Sequence, residues 1–307
     1  MEELAPELFG TVFCLLSLFG LILYITLIGC HFSDRFVYER SSCFWLLMCV
    51  NLCAMLQLLM HFYAGISALS QRQSDWTYVE HLIVSIGNAT VMIQEFLNFA
   101  IAVDRFVVLV LEWKKTKMLV ALMFTPILIL FLLYTTSFML PSCRYFFRSY
   151  IWEISVSTCR YLDAMQNLEY CLYVLMILAV IFHVLIVVKL FFTRRLLSQN
   201  FFGGVERRVL LRSFGTLLTG GLTLLFMHTL HSYILPGNLP VRIMVQFWWI
   251  FSNYFAVLFD MSTIPNLRRQ MILWFFAWPS NQLGSVVGVV QHTNSQQNKN
   301  VNTIQIR

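Results

Sequence analysis

Charge is what this sequence lacks. Of its 307 residues only 12% are Asp, Glu, Lys or Arg, about half of the roughly 25% carried by a soluble globular chain. Hydrophobic residues make up 59%, and mean hydropathy is +0.72. So little charge cannot cover the surface of a soluble domain of this length, so lipid is expected to be the solvent for much of it. A cytosolic enzyme, a nucleic-acid-binding domain and a disordered protein are excluded on the same ground. Also missing are a glycine-rich phosphate loop, a Ser/His/Asp grouping and a dense His-x-x-x-His signature. No internal repeat is evident, which speaks against an inverted-repeat transporter. No cleavable signal peptide is expected. The first apolar run is too long for one, and Glu2, Glu3 and Glu7 stand where a signal carries Lys or Arg.

What is present is a series of long apolar runs. A membrane helix needs about 20 mostly apolar residues, and seven stretches qualify, at 8–30, 43–69, 79–111, 118–141, 167–192, 209–235 and 241–264. The expected fold is therefore an all-α membrane protein, a bundle of seven transmembrane helices. The third stretch carries Glu80, His81, Asn88, Glu95, Asn98 and Asp104. A helix that polar cannot face lipid all round and belongs at the bundle's centre. Loops of at most about 25 residues leave no room for a soluble domain. After Pro265 the segment NLRRQMILWFFAW, 266–278, begins basic and ends aromatic. Leu267, Met271, Trp274, Phe275 and Trp278 recur at helical spacing, which predicts a short interfacial helix after the seventh span. Residues 1–278 thus form one domain, and the Asn-, Gln- and Ser-rich 279–307 reads as a disordered tail.

The net charge of +6 is a matter of orientation and not of nucleic acid, because the basic residues sit in short segments between apolar runs. With the N-terminus outside, 16 of the 21 Lys and Arg fall on the inner side. Among them are Arg105, Lys114, Lys115, Lys117, Arg194, Arg195, Arg207, Arg208, Arg212, Arg268 and Arg269. That bias predicts a multi-pass plasma-membrane protein with its N-terminus outside and its C-terminus cytoplasmic. Of the 8 cysteines, Cys14, Cys30, Cys43, Cys49, Cys53 and Cys171 lie in or beside apolar runs, the ordinary setting of buried free thiols. Cys143 and Cys159 fall in a polar loop.

The third stretch ends NFAIAVDRFVVLV, 98–110. Asp104, Arg105 and Phe106 there resemble the signature of the rhodopsin-like G-protein-coupled receptors, an acidic residue, Arg and an aromatic at the inner end of the third helix. The aromatic loop CRYFFRSYIWEISVSTC, 143–159, is most similar to those of nematode-type serpentine chemoreceptors. Asp next to Arg can hold the guanidinium in a local ion pair, and its release would present a multi-donor cation to a partner's carbonyls. An arginine that merely snorkels to the interface is the alternative. Other family marks depart. Asn51-Leu52 matches, but Leu56 and Gln57 stand where an acidic residue is expected, and Glu80 and His81 where the outer cysteine is. The sixth helix has no Trp-x-Pro, and Asp260-Met-Ser-Thr-Ile264 replaces Asn-Pro-x-x-Tyr.

The resemblance implies a receptor, chemosensory in kind, that couples an extracellular small, fairly apolar ligand to a heterotrimeric G protein through Asp104, Arg105 and Phe106. With the third-helix cysteine missing, Cys143 and Cys159 are expected to bridge locally. Ligand anchors are expected at Asn88, Tyr173, His228, His231, Gln246 and Trp249, and no cofactor is expected. Asn51, Glu95, Asn98, Asn253 and Asp260 form either a polar core that repacks on activation or a static hydrogen-bonded network. Two rival functions remain. A seven-helix zinc hydrolase would use His61, His81, His228 and His231 with Glu80 or Glu169, but only His228 and His231 share a helix face at i, i+3. A transporter would need broken helices, and only Pro126 interrupts a span centrally. The sequon Asn88-Ala-Thr90 lies well inside the third stretch and is expected to face the bundle.

Overall fold

Away from water every backbone N–H and C=O must be paired within the chain, and a helix does this using local residues alone. The computed structural model describes residues 4–33, 44–70, 78–113, 116–139, 145–148, 151–154, 162–196, 204–233 and 239–277. The apolar runs form helices α1 (Leu4–Ser33), α2 (Phe44–Ser70), α3 (Tyr78–Leu109), α4 (Thr116–Met139), α5 (Leu162–Leu196), α6 (Gly204–Tyr233) and α7 (Leu239–Thr263). By length and composition, α1, α2, α5, α6 and α7 can each cross a membrane. In α3 the interior Glu95, Asp104 and Arg105 dilute the apolar run, and in α4 the described apolar stretch is shorter, Leu122–Thr136. Among the described residues, five of the seven expected spans therefore meet the criterion. Helices α5 and α6 start about five residues earlier than hydropathy alone suggests, because a polar turn can extend a helix without being apolar.

The predicted short helix is α8 (Pro265–Ala277). Only Ile264 separates it from α7, and the Ile264 N–H reaches the Asp260 carbonyl at 2.9 Å while Arg268 N–H reaches Ile264 at 3.0 Å. Leu267 and Met271 are buried, whereas Arg268 and Arg269 are exposed, so the helix is amphipathic as its spacing indicates. The side chains of Trp274, Phe275 and Trp278, and the whole of 279–307, lie outside the described residues.

Among the described residues the fold is helical throughout apart from one short hairpin in the segment between α4 and α5. Strands β1 (Tyr145–Arg148) and β2 (Ile151–Ile154) pair antiparallel, Tyr145 opposite Ile154 and Arg148 opposite Ile151. Their aromatic and β-branched residues favour extended backbone. Such a two-stranded hairpin is marginal alone; this one lies against α3 and α7.

Helices α1 and α2 pack backbone to backbone. A Cβ on Gly65 would fall 2.8 Å from the Cys14 nitrogen and 2.9 Å from the Gly10 oxygen, and one on Gly10 would fall 2.8 Å from the Gly65 oxygen. Where lipid tails are as apolar as Leu, this close fit supplies the association energy. The core continues through Phe13, Leu27, Leu58, Met60, Leu97, Ile101, Trp249 and Ile250. The opposite faces are also apolar: Leu128, Ile129, Leu132 and Leu133 of α4 and Ile177, Ile181, Val184 and Val188 of α5 are exposed. Apolar residues in continuous exposed faces fit a lipid surround and not water.

Candidate functional site

Asp104 and Arg105 occupy the last two turns of α3 and are 0% and 1% exposed. Arg105 Nε donates to Asp104 Oδ2 at 2.9 Å, and its terminal nitrogen donates to the same oxygen. An arginine snorkelling to an interface would expose its head. This one is folded back onto its neighbour instead. Phe106 packs on Phe182 of α5 with ring centroids 4.9 Å apart. The helix ends at Leu109; three residues on, Glu112 has a left-handed φ of 55°, and Trp113 N–H turns back to the Val107 carbonyl at 3.2 Å. A non-glycine residue rarely adopts that conformation, and here it turns the chain away beyond the end of α3.

The larger polar cluster is centred on a residue the sequence placed elsewhere. Charge patterning groups Arg212 with the inner-boundary arginines, but it is 0% exposed and lies inside the bundle. Its guanidinium sits 2.8 Å from Asp260 Oδ2 on α7 and donates to Asn51 Oδ1 on α2. His31 of α1 brings Nε2 to 3.9 Å from the same Asp260 oxygen. Helices α1, α6 and α7 thus meet at one carboxylate, and α2 joins them through Arg212. The signal available beforehand was Asp260 itself, an acid in an apolar helix that requires a countercharge.

A second polar contact ties α6 to α3. Thr216 Oγ1 donates to Asn98 Oδ1 at 3.2 Å, and Asn98 Nδ2 donates to Glu95 Oε2 at 3.4 Å. Glu95 lies against Gly220, where an added Cβ would fall 2.0 Å from its Oε1. On the α5 side, His183 Nε2 and Ser213 Oγ share a hydrogen bond of 2.9 Å. Contacts at Arg212, Ser213 and Thr216 therefore hold one turn of α6 to α7, α2, α5 and α3. That turn can move only if several interhelical bonds exchange together.

The five polar-core candidates are placed in separate groups. Glu95 and Asn98 join α6, whereas Asn51 and Asp260 meet through Arg212. Asn253 uses its backbone carbonyl, which accepts from Tyr24 at 2.5 Å; its buried side-chain amide has no hydrogen-bond partner among the described residues. A further chain that sequence reasoning missed runs across the bundle: Trp249 Nε1 donates to Gln57 Oε1 at 2.9 Å, and Gln57 Nε2 donates to Gln94 Oε1 at 3.0 Å. Glutamines in apolar helices give only a weak signal, since their partners lie on other helices.

Among the ligand anchors, Asn88 bonds to the Val84 carbonyl of its own helix at 3.2 Å, and Tyr173 reaches the Leu224 carbonyl at 3.5 Å. Gln246 and Trp249 are buried on α7. The side chains of His81, His228 and His231, and all of Cys143 and Cys159, lie outside the described residues. Among the described residues no three His, Cys, Asp or Glu side chains converge as a metal would require. Comparison of the chain with protein-family models and with curated proteins gives no match.

Proposed function

We propose that this chain is a seven-helix plasma-membrane receptor, chemosensory in kind, that converts binding of an extracellular small molecule into engagement of a heterotrimeric G protein. The observation that carries this reading is the buried Asp104–Arg105 pair at the end of α3. A guanidinium held by its own neighbour is a cation in reserve: its donors are occupied now and become available when the carboxylate lets go. Helix α3 can serve as a central span despite its charges, because Glu95, Asp104 and Arg105 are all buried within the bundle. The excess of Lys and Arg at the segments between α3 and α4 and between α5 and α6 supports a cytoplasmic location for those segments.

In this reading the ligand works by binding the parted arrangement of α3, α6 and α7 more tightly than the closed one. Moving such an equilibrium from 1:99 to 99:1 takes about 5.5 kcal/mol of differential affinity. Breaking one buried ion pair costs about 3–5 kcal/mol, so the polar contacts on α6 are of the right size to set the resting state. The chemosensory assignment rests on the likeness of 98–110 and 143–159 to nematode-type receptors.

The test is a pair of variants that should fail in opposite directions. Asp104→Asn frees Arg105 and should raise basal signalling. Arg105→Ala removes the donor fork, so signalling should fall while ligand binding survives. Basal signal, evoked signal and binding are measured in transfected cells, each normalised to surface amount. Equal signalling by the parent and both variants would remove the support for a receptor.

A further inference from the structure

Helix α8 gives one face to the bundle and leaves the opposite face open. Leu267 and Met271 are buried in the apolar core, where the helix packs against α1 and α7. At about 100° of rotation per residue, Arg268, Arg269, Ile272 and Leu273 fall on the other side. All four are exposed, Ile272 by 46% and Leu273 by 42%. This face is graded along its length. Ile272 follows Arg268 by four residues and Leu273 follows Arg269 by four, so each cation has an apolar side chain one turn beyond it.

The protein supplies no countercharge for the two guanidiniums among its described residues. Arg208, which reaches the same elbow from α6, donates to the Thr263 carbonyl at 3.4 Å. Arg268 and Arg269 have no acidic partner among the described residues, and the sequence from 261 to 307 contains no Asp or Glu. Their level is set by α7. Its membrane-crossing stretch ends at Thr263, and α8 begins at Pro265. The last turn of α1 lies at the same level, since His31 stands 3.9 Å from Asp260. Arg268 and Arg269 therefore sit just past the end of a span, where the hydrocarbon gives way to lipid headgroups.

We infer that the open face of α8 docks an anionic phospholipid, with Arg268 and Arg269 holding the phosphate and Ile272 and Leu273 entering the acyl layer. Charge complementarity and the graded face select this occupant. A guanidinium binds phosphate oxygens through paired N–H donors. A soluble phosphate or a nucleic acid would satisfy the arginines but leave Ile272 and Leu273 in water. A neutral phospholipid would cover the apolar pair but leave the arginines without a net countercharge. Only an anionic lipid serves both halves of the face. The inference needs α8 at a membrane surface and does not depend on the receptor reading; its test measures lipid binding and not signalling.

The full chain is purified in detergent with equimolar phosphatidylglycerol and phosphatidylcholine, and retained lipid is counted by native mass spectrometry. A basic side chain near an anionic headgroup is worth about five-fold. R268Q/R269Q should therefore lower the ratio of phosphatidylglycerol to phosphatidylcholine by about five-fold or more. R194Q/R195Q removes the same charge elsewhere in the chain and should leave that ratio within about two-fold. I272S/L273S keeps both arginines and should reduce retention of phosphatidylglycerol. Glycerol phosphate at the lipid's own concentration should not compete, because it has no acyl chains. No anionic preference in the parent, or equal losses from the two arginine pairs, would overturn the inference. So would unchanged retention by I272S/L273S, or displacement of the lipid by glycerol phosphate, which would assign a soluble anion instead. Should the double arginine variant lose its fold, R268Q and R269Q singly decide by the same ratio.

Discussion

Arg212 of α6 and Asp260 of α7 meet at 2.8 Å with both side chains shut away from the surface. Removing one partner strands the other charge in an apolar interior, which costs about 3–5 kcal/mol; removing both leaves no charge to satisfy. Arg212→Met and Asp260→Leu should each lower thermal stability strongly, and the double variant should recover most of the loss. Unfolding of the three purified variants reads this directly, and a double variant as unstable as the two losses added would refute the pairing.

Gly65 allows α1 and α2 to touch along their backbones. Gly65→Ala places its methyl group against the Cys14 nitrogen and the Gly10 oxygen, which cannot rotate aside as a side chain can. The helices must separate, at a cost of about 1–3 kcal/mol or more. Leu59→Ala on the exposed face of α2 serves as the control and should stay within about 0.5 kcal/mol. Similar losses from the two changes would show that the close approach is not what joins these helices.

Gly220 accommodates the Glu95 carboxyl between α3 and α6. Gly220→Ala should displace that carboxyl and destabilise the protein by about 1–3 kcal/mol. In a Glu95→Ala background the nearest obstacle to the added methyl group is gone, and the same change should cost much less, with a coupling of about 0.5–3 kcal/mol between the sites. A four-way unfolding cycle measures it, and strict additivity would place the carboxyl elsewhere.

Orientation is checked by accessible tags. An epitope at residue 1 should be labelled on intact cells, and one after residue 300 only once the membrane is permeabilised. The reverse pattern would invert the placement of the Asp104–Arg105 pair and remove its access to a cytoplasmic partner.

Burial of Arg212 removes one arginine from the inner-boundary residues on which the expected orientation rests. Charge counting treats every arginine near a span's end as a boundary residue. Arg212 lies four residues beyond Arg208, about one helical turn, and that single turn separates a half-buried residue from a buried one. Hydropathy cannot resolve one turn. The hairpin of β1 and β2 was hidden for a related reason: its residues suit a strand, yet four-residue strands form only where other elements support them.

Composition and hydropathy by themselves determined that this protein is helical, apolar on its outer faces and followed by a short amphipathic helix at Pro265. Those properties depend on residues close in sequence and on the demand that backbone groups pair locally. They also singled out Asp104, Arg105, Glu95, Asn98 and Asp260, since a polar residue in an apolar run is conspicuous without knowledge of its partner. The partners were decided only in three dimensions. Arg212 and Asp260 are 48 residues apart, and Thr216 and Asn98 are 118 apart. Which face of α6 turns toward α3 and which toward α7 depends on how the whole bundle packs, down to glycines that admit a carboxyl or a backbone. Local pattern sets what each helix must bury, and only the packing of all the helices sets what it is buried against.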